Sequence, residues 1–169
     1  MEIDRLCFCR WSDEKYVVVN KCKELRNPNI MFRDGLMKLS LLEGDEWKTM
    51  LEEASASGHL DATFVLGMMM MAEDIQRNQE ALDMLNHAYR TKGIWNLRVT
   101  CSKVHLHLNK DGRKHFHLQG FHRTCVMHRS MISVPDAFVY GYKWVFRCEI
   151  CLWEACCVRF TREFGIIYE

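Results

Sequence analysis

The chain has 169 residues, 49% of them hydrophobic and 27% charged, which describes an ordinary globular protein of one domain, or one with a small appendage, and excludes a disordered chain. Two prolines and nine glycines are too few for a collagenous or linker-dominated protein. The net charge of +1 predicts no polyanion binding, and no apolar run reaches the roughly 18–20 residues of a membrane helix.

The opening Met1-Glu2-Ile3-Asp4-Arg5 places charge where a signal peptide carries its apolar core. The expected compartment is therefore the cytoplasm or nucleus. Nine cysteines in such a setting stay reduced and read as buried thiols or metal ligands. Charge is unevenly spread. Residues 43–83 hold ten acidic side chains against two basic ones, a net of −8. Residues 93–134 hold seven basic residues against Asp111, a net of +6, together with six of the eight histidines. The commonest reason for such a run is a solvated face that complements the acidic half; nucleic acid is the sharper and less expected partner.

From Asp45 onward the pattern predicts helices. Trp47, Met50, Leu51 and Ala54 fall at i, i+3, i+4, i+7 and draw one apolar stripe, with Glu52 and Glu53 opposite. Ser57-Gly58 ends this helix, glycine being suited to the left-handed position after a helix C-terminus. A second helix carries Leu60, Phe64, Gly67, Met68 and Met71. Four consecutive methionines, Met68 to Met71, point all round that helix. They are expected in a core, a Met-rich groove being the alternative. A third helix is capped by Asn78, with Ala81, Leu82, Leu85, Ala88 and Tyr89 as its stripe, and ends at Lys92-Gly93.

These helices repeat. Met50-Leu51-Glu52-Glu53-Ala54 matches Met84-Leu85-Asn86-His87-Ala88 at an offset of 34, and Gly58 matches Gly93 at 35. Upstream, Asn29 to Gly35 matches Asp61 to Gly67 at 32. A period in the mid-thirties, with small residues where two helices cross, predicts a helix-turn-helix solenoid whose units stack to bury their stripes.

Beyond it, Asn109-Lys110-Asp111-Gly112 predicts an exposed hairpin, in which His105-x-His107 and His115-x-His117 each share a strand face. Tyr142 to Phe146 alternates like a strand, and a helix is expected over Leu152–Phe164. Cys125-x2-His128 and, after 19 residues, Cys148-x2-Cys151 have the spacing of two turns closing on a tetrahedral Zn²⁺. A site of Cys125, His128, Cys148 and Cys151 is closed and therefore structural; His122 or Cys101 is an alternative ligand. Strand, Cys-x2-Cys and helix also describe a thioredoxin-type centre, so a thiol oxidoreductase is the enzymatic alternative. No phosphate-binding glycine loop, Gly-x-Ser-x-Gly, His-Glu-x-x-His or His-x-Glu motif is present, and no catalytic residue is assigned.

The chain is thus expected to be mainly α: a short tetratricopeptide or Sel-like helix-turn-helix solenoid with a small Cys/His-rich α+β unit at its C-terminal end. The expected organisation is an N-terminal remnant segment over 1–21, a helical repeat domain over 22–108 and the Cys/His-rich unit over 109–169. The expected function is a non-enzymatic protein-interaction module that binds a protein substrate or scaffold and no membrane. The alternatives are a nucleic-acid-binding protein using the basic His-rich segment and a zinc knuckle, and the thiol oxidoreductase.

Cys22-Lys23 and Arg26-Asn27-Pro28-Asn29-Ile30-Met31-Phe32-Arg33-Asp34-Gly35 resemble the segment that follows the F-box in a family of plant F-box proteins. Leu51-Glu52-Glu53-Ala54 and Ser57-Gly58-His59-Leu60-Asp61-Ala62-Thr63-Phe64-Val65-Leu66-Gly67-Met68 are similar to that family's Sel-like tetratricopeptide unit. Cys148-Glu149-Ile150-Cys151-Leu152-Trp153-Glu154 is similar to its C-terminal Cys-x-x-Cys-x-Trp-(Asp/Glu) signature. The resemblance covers residues 15–165 and implies a substrate-receptor subunit of a cullin-type ubiquitin ligase. The leucine- and proline-rich F-box itself is not matched by Leu6-Cys7-Phe8-Cys9-Arg10-Trp11, so docking to the Skp adaptor is not expected of residues 1–21.

Overall fold

The structure, a computed structural model, describes residues 13–41, 44–73, 77–110, 116–118, 148–164 and 166–168. Among the described residues six helices dominate: α1 Asp13–Glu24, α2 Pro28–Leu41, α3 Glu46–Ala56, α4 Leu60–Glu73, α5 Asn78–Lys110 and α6 Glu149–Phe164. Two three-residue strands, β1 Phe116–Leu118 and β2 Ile166–Tyr168, pair in parallel with Phe116 opposite Ile166. The mainly helical fold expected from periodicity is the one observed. The chain divides into two compact units, residues 1–63 and 64–169, the division falling within α4.

In the first unit α2 and α3 make the principal helix pair. Ile30, Phe32, Leu36 and Leu39 of α2 and Trp47, Leu51 and Ala54 of α3 are its buried apolar residues. The predicted α3 stripe is thus the buried one, except that Met50 stays half-buried. Asp34 is also buried and meets Lys23 of α1, its carboxylate 2.7 Å from Nζ.

The second unit has an unusually enclosed helix at its start. Within its part of α4 every residue from 64 to 72 is buried, including Met68, Met69, Met70 and Met71 at 0–4% exposure. The methionines therefore belong to the core, and four in a row reflect a helix covered on all sides. Asn78 opens α5, but its buried Oδ1 accepts no hydrogen bond, so it is not the side-chain cap predicted. Gly93 breaks α5 with φ 79 and ψ 162, at the expected end of the third helix.

After that break the chain resumes helix through Lys110. This corrects the expected strand and hairpin. His105 and His107 lie on a helix and not on the expected strand. The Asp-Gly turn signal has no preceding strand to close, because Asn109 and Lys110 are helical. His115 and the expected strand Tyr142–Phe146 lie outside the described residues.

Candidate functional site

The repeat is written most literally in the turns. At the end of α1, Leu25 N–H donates to Lys21 O, Arg26 N–H to Lys23 O and Asn27 N–H to Cys22 O. At the end of α3, Ser57 N–H donates to Glu53 O, Gly58 N–H to Ser55 O and His59 N–H to Ala54 O. Donors and acceptors correspond one by one at a spacing of 32. The left-handed residue of each turn, Arg26 with φ 49 and Gly58 with φ 83, falls at the same point. Both turns satisfy carbonyls that a helix C-terminus leaves open. Each then supplies the cap of the following helix. Asn27 Oδ1 accepts Asn29 N–H at 3.0 Å before α2, and His59 Nδ1 accepts Ala62 N–H at 3.2 Å before α4. The His59 ring also stacks on Phe32, centroids 4.6 Å apart, which ties the second turn back to α2.

The helix crossings repeat as well. A β-carbon added to Gly35 would lie 3.1 Å from Met50 Cβ and 3.2 Å from Leu51 Cδ2. One added to Gly67 would lie 2.7 Å from Leu85 Cγ. In each pair glycine lets the backbone of one helix approach the leucine of the next. Arg26 closes the first turn from outside: its guanidinium donates through Nε and Nη2 to the two carboxylate oxygens of Glu53. Hydrogen bonding from Arg26 holds the Glu53 carboxyl below its ordinary range, and the charge of Arg26 acts in the same direction.

In the second unit α6 lies antiparallel on the first half of α5. Trp153 Nε1 donates to Asn86 Oδ1 at 2.7 Å, and Arg90 Nη2 reaches Glu149 Oε2 at 3.0 Å. One turn forward on α5 is one turn back on α6. Further along α6, Cys157 Sγ contacts the Met68 carbonyl at 3.6 Å, and Phe160 packs edge-on against Phe64 at 6.2 Å. Glu149, Trp153, Cys157 and Phe160 form one stripe at helical spacing.

Cys148 and Cys151 sit at the start of this helix, both half-buried. Cys148 immediately precedes α6, and its Sγ accepts the Cys151 backbone N–H at 3.4 Å. Cys156 and Cys157 are buried. Burial pushes the Cys156 thiol well up, with the neighbouring Cys101 and Cys157 adding to it. Burial, and then Glu154, push Cys157 up to about 12. The structure brings Cys148 and Cys151 together; Cys125 and His128 lie outside the described residues. Among the described residues no group of three or more Cys, His, Asp or Glu is arranged to hold a metal ion, and no helix is long and apolar enough to cross a membrane.

The family model of plant tetratrico peptide repeats matches residues 4–106, more than half of the chain. The chain belongs to this family. No curated protein and no solved structure matches it. The tetratrico peptide repeat match takes in α1 to α4 and most of α5, including both glycine crossings, whereas α6 lies beyond it. Repeats of this kind present surfaces for other proteins, so the coarse reading is a protein-interaction module.

Two residues that matter for the arrangement escaped sequence reasoning. Asn86 entered only as part of the repeat match Met84 to Ala88, yet it holds the indole of Trp153. Arg90 was given no role, yet it pairs with Glu149. Local patterning says nothing about partners 67 and 59 residues away. The available signal was the fixed Trp153 two residues after Cys151: a buried indole needs an acceptor.

Proposed function

We propose that this plant tetratrico peptide repeat protein is a non-enzymatic docking module of the kind found in substrate receptors of cullin-type ubiquitin ligases. What carries this reading is the duplicated glycine-on-leucine crossing, Gly35 on Leu51 and Gly67 on Leu85, within a segment that matches the repeat family. Stacked units of this type expose side chains for a partner and leave chemistry to other proteins. The resemblance of residues 22–35 and 148–154 to plant F-box proteins supports the ligase assignment.

Affinity purification of the tagged chain with mass spectrometry tests it. Co-purification of Skp and cullin subunits would support a receptor role despite the unmatched F-box. Recovery of neither, with purified Skp also failing to bind, ends the ligase assignment and leaves a scaffold.

A second reading concerns zinc and is favoured by the Cys151 N–H that points at Cys148 Sγ, the arrangement of a metal-binding turn. Cys148 and Cys151 supply two sulfur ligands, and Cys125 and His128 are the proposed other two. Such an ion would be structural, fixing the chain before α6. Metal analysis of the purified protein decides it: about one equivalent of zinc supports the site, and less than about 0.3 equivalents removes it.

A further inference from the structure

The six described cysteines fall into distinct environments, and the difference is chemical. Cys156 and Cys157 are sealed in the core, where a thiol stays protonated and inert. Cys148 and Cys151 stand half-buried at the edge of α6, within reach of small solutes. Residues three apart across the first helical turn have Cα atoms about 5 Å apart, inside the range a disulfide spans. Cys148 precedes the helix, so its side chain is not held at regular helical spacing. Its sulfur already lies over the first turn, against the Cys151 amide. The frame beneath is fixed: Glu149 is tied to Arg90, Trp153 to Asn86, and Leu152 to Cys157 are all buried.

We infer that Cys148 and Cys151 form a reversible dithiol–disulfide pair, a modification site that exchanges with low-molecular-weight disulfides such as glutathione disulfide. This is independent of the docking role and is an alternative fate for the sulfurs of the zinc reading. The thiolate of one cysteine attacks a sulfur of glutathione disulfide, forming a mixed disulfide and releasing one glutathione thiolate. The thiolate of the other cysteine attacks the protein sulfur of that mixed disulfide, closing the intramolecular bond and releasing the second glutathione. The two protons lost by the cysteines end on the two glutathiones. The protein dithiol is oxidised by two electrons and glutathione disulfide is reduced by two. Because α6 is anchored from Glu149 onward, closure needs rotation of the Cys148 side chain and not repacking of the helix.

The full-length protein, as purified, is equilibrated in buffers of varied glutathione to glutathione disulfide ratio. Its disulfides are mapped by peptide mass spectrometry and zinc is measured in the same samples. The expected result is a Cys148–Cys151 disulfide as the major oxidised species, reversed by excess glutathione. Cys148→Ser and Cys151→Ser should each abolish it and leave a stable glutathione adduct on the remaining cysteine. Serine keeps the size of the side chain and caps a helix well, and circular dichroism of each variant confirms the fold. Cys156→Ser should leave the disulfide in place. Stable adducts on both cysteines without closure, or pairing of either with a different cysteine, overturn the inference. One retained equivalent of zinc with both thiols unreactive overturns it in favour of the metal site; no zinc and no disulfide overturns both.

Discussion

Gly67 faces Leu85 so closely that a β-carbon in its place would stand 2.7 Å from the leucine Cγ. Gly35 faces Leu51 with more room, 3.2 Å to Cδ2. The same crossing is therefore built twice with different tolerance. Gly67→Ala should cost about 1–3 kcal/mol, the range for forcing a methyl into a packed crossing. Gly35→Ala should cost clearly less, since the neighbours need to give by only a few tenths of an ångström. Urea unfolding of the two variants checks this, and equal losses would contradict the unequal crossings.

The hydrogen bond between Trp153 and Asn86 makes a second prediction. Trp153→Phe keeps most of the buried ring but removes the donor to Asn86 Oδ1, a loss of about 1–3 kcal/mol for a polar atom left without its partner. Trp153→Ala should cost more, about 3–5 kcal/mol, because the cavity is added. Adding Asn86→Leu to Trp153→Phe should recover part of the first loss. A double-mutant cycle by thermal unfolding reads the coupling directly.

The two congruent turns predict opposite responses to glycine chemistry. Arg26 holds a left-handed conformation that costs a non-glycine residue roughly 1–2 kcal/mol. Arg26→Gly relieves that strain while losing an exposed, solvent-screened ion pair with Glu53. The net change should be near zero or stabilising. Gly58→Ala introduces the same strain with nothing in return and should destabilise by about 1 kcal/mol. Denaturant midpoints of the pair distinguish these outcomes.

Alkaline stability should follow the buried thiols. The Cys157 pKa rises from an ordinary 9.0 to about 12, so the folded protein keeps a proton that the unfolded chain releases. The stability that this group contributes is complete below pH 9.0 and is lost as pH climbs through about 12. Stability measured against pH should decline over that window, and Cys157→Ala should flatten the decline. At pH 8, iodoacetamide should modify Cys148 and Cys151 well before Cys156 and Cys157.

Where the sequence was legible, one physical rule dominated a stretch. The α3 stripe of Trp47, Leu51 and Ala54 repeats at 3.6 residues, and Gly58 carries the positive φ that its turn requires. The period was legible because Gly35, Gly67, Leu51 and Leu85 serve the same contact twice. Legibility failed around His105 and His107. There an Asp-Gly signal and alternating histidines argued for a hairpin, while the chain continues the helix that restarts after Gly93. The alternation of histidines lost to helix propagation, which needs only one more bond per residue once begun. Of the candidate zinc ligands, proximity of Cys148 and Cys151 follows from their spacing alone. The role of Trp153 does not, because its partner belongs to another helix.

The position of α6 has a practical corollary for dissecting the molecule. Phe160 and Cys157 lie on Phe64 and Met68, which belong to the stretch matched by the family, although α6 itself does not. A fragment cut to residues 4–106 would strip α4 of that cover and leave aromatic and thioether surface to water. Boundaries drawn from repeat homology alone would thus yield a sticky, poorly behaved piece, and binding screens run with it would report adhesion to its bared interior.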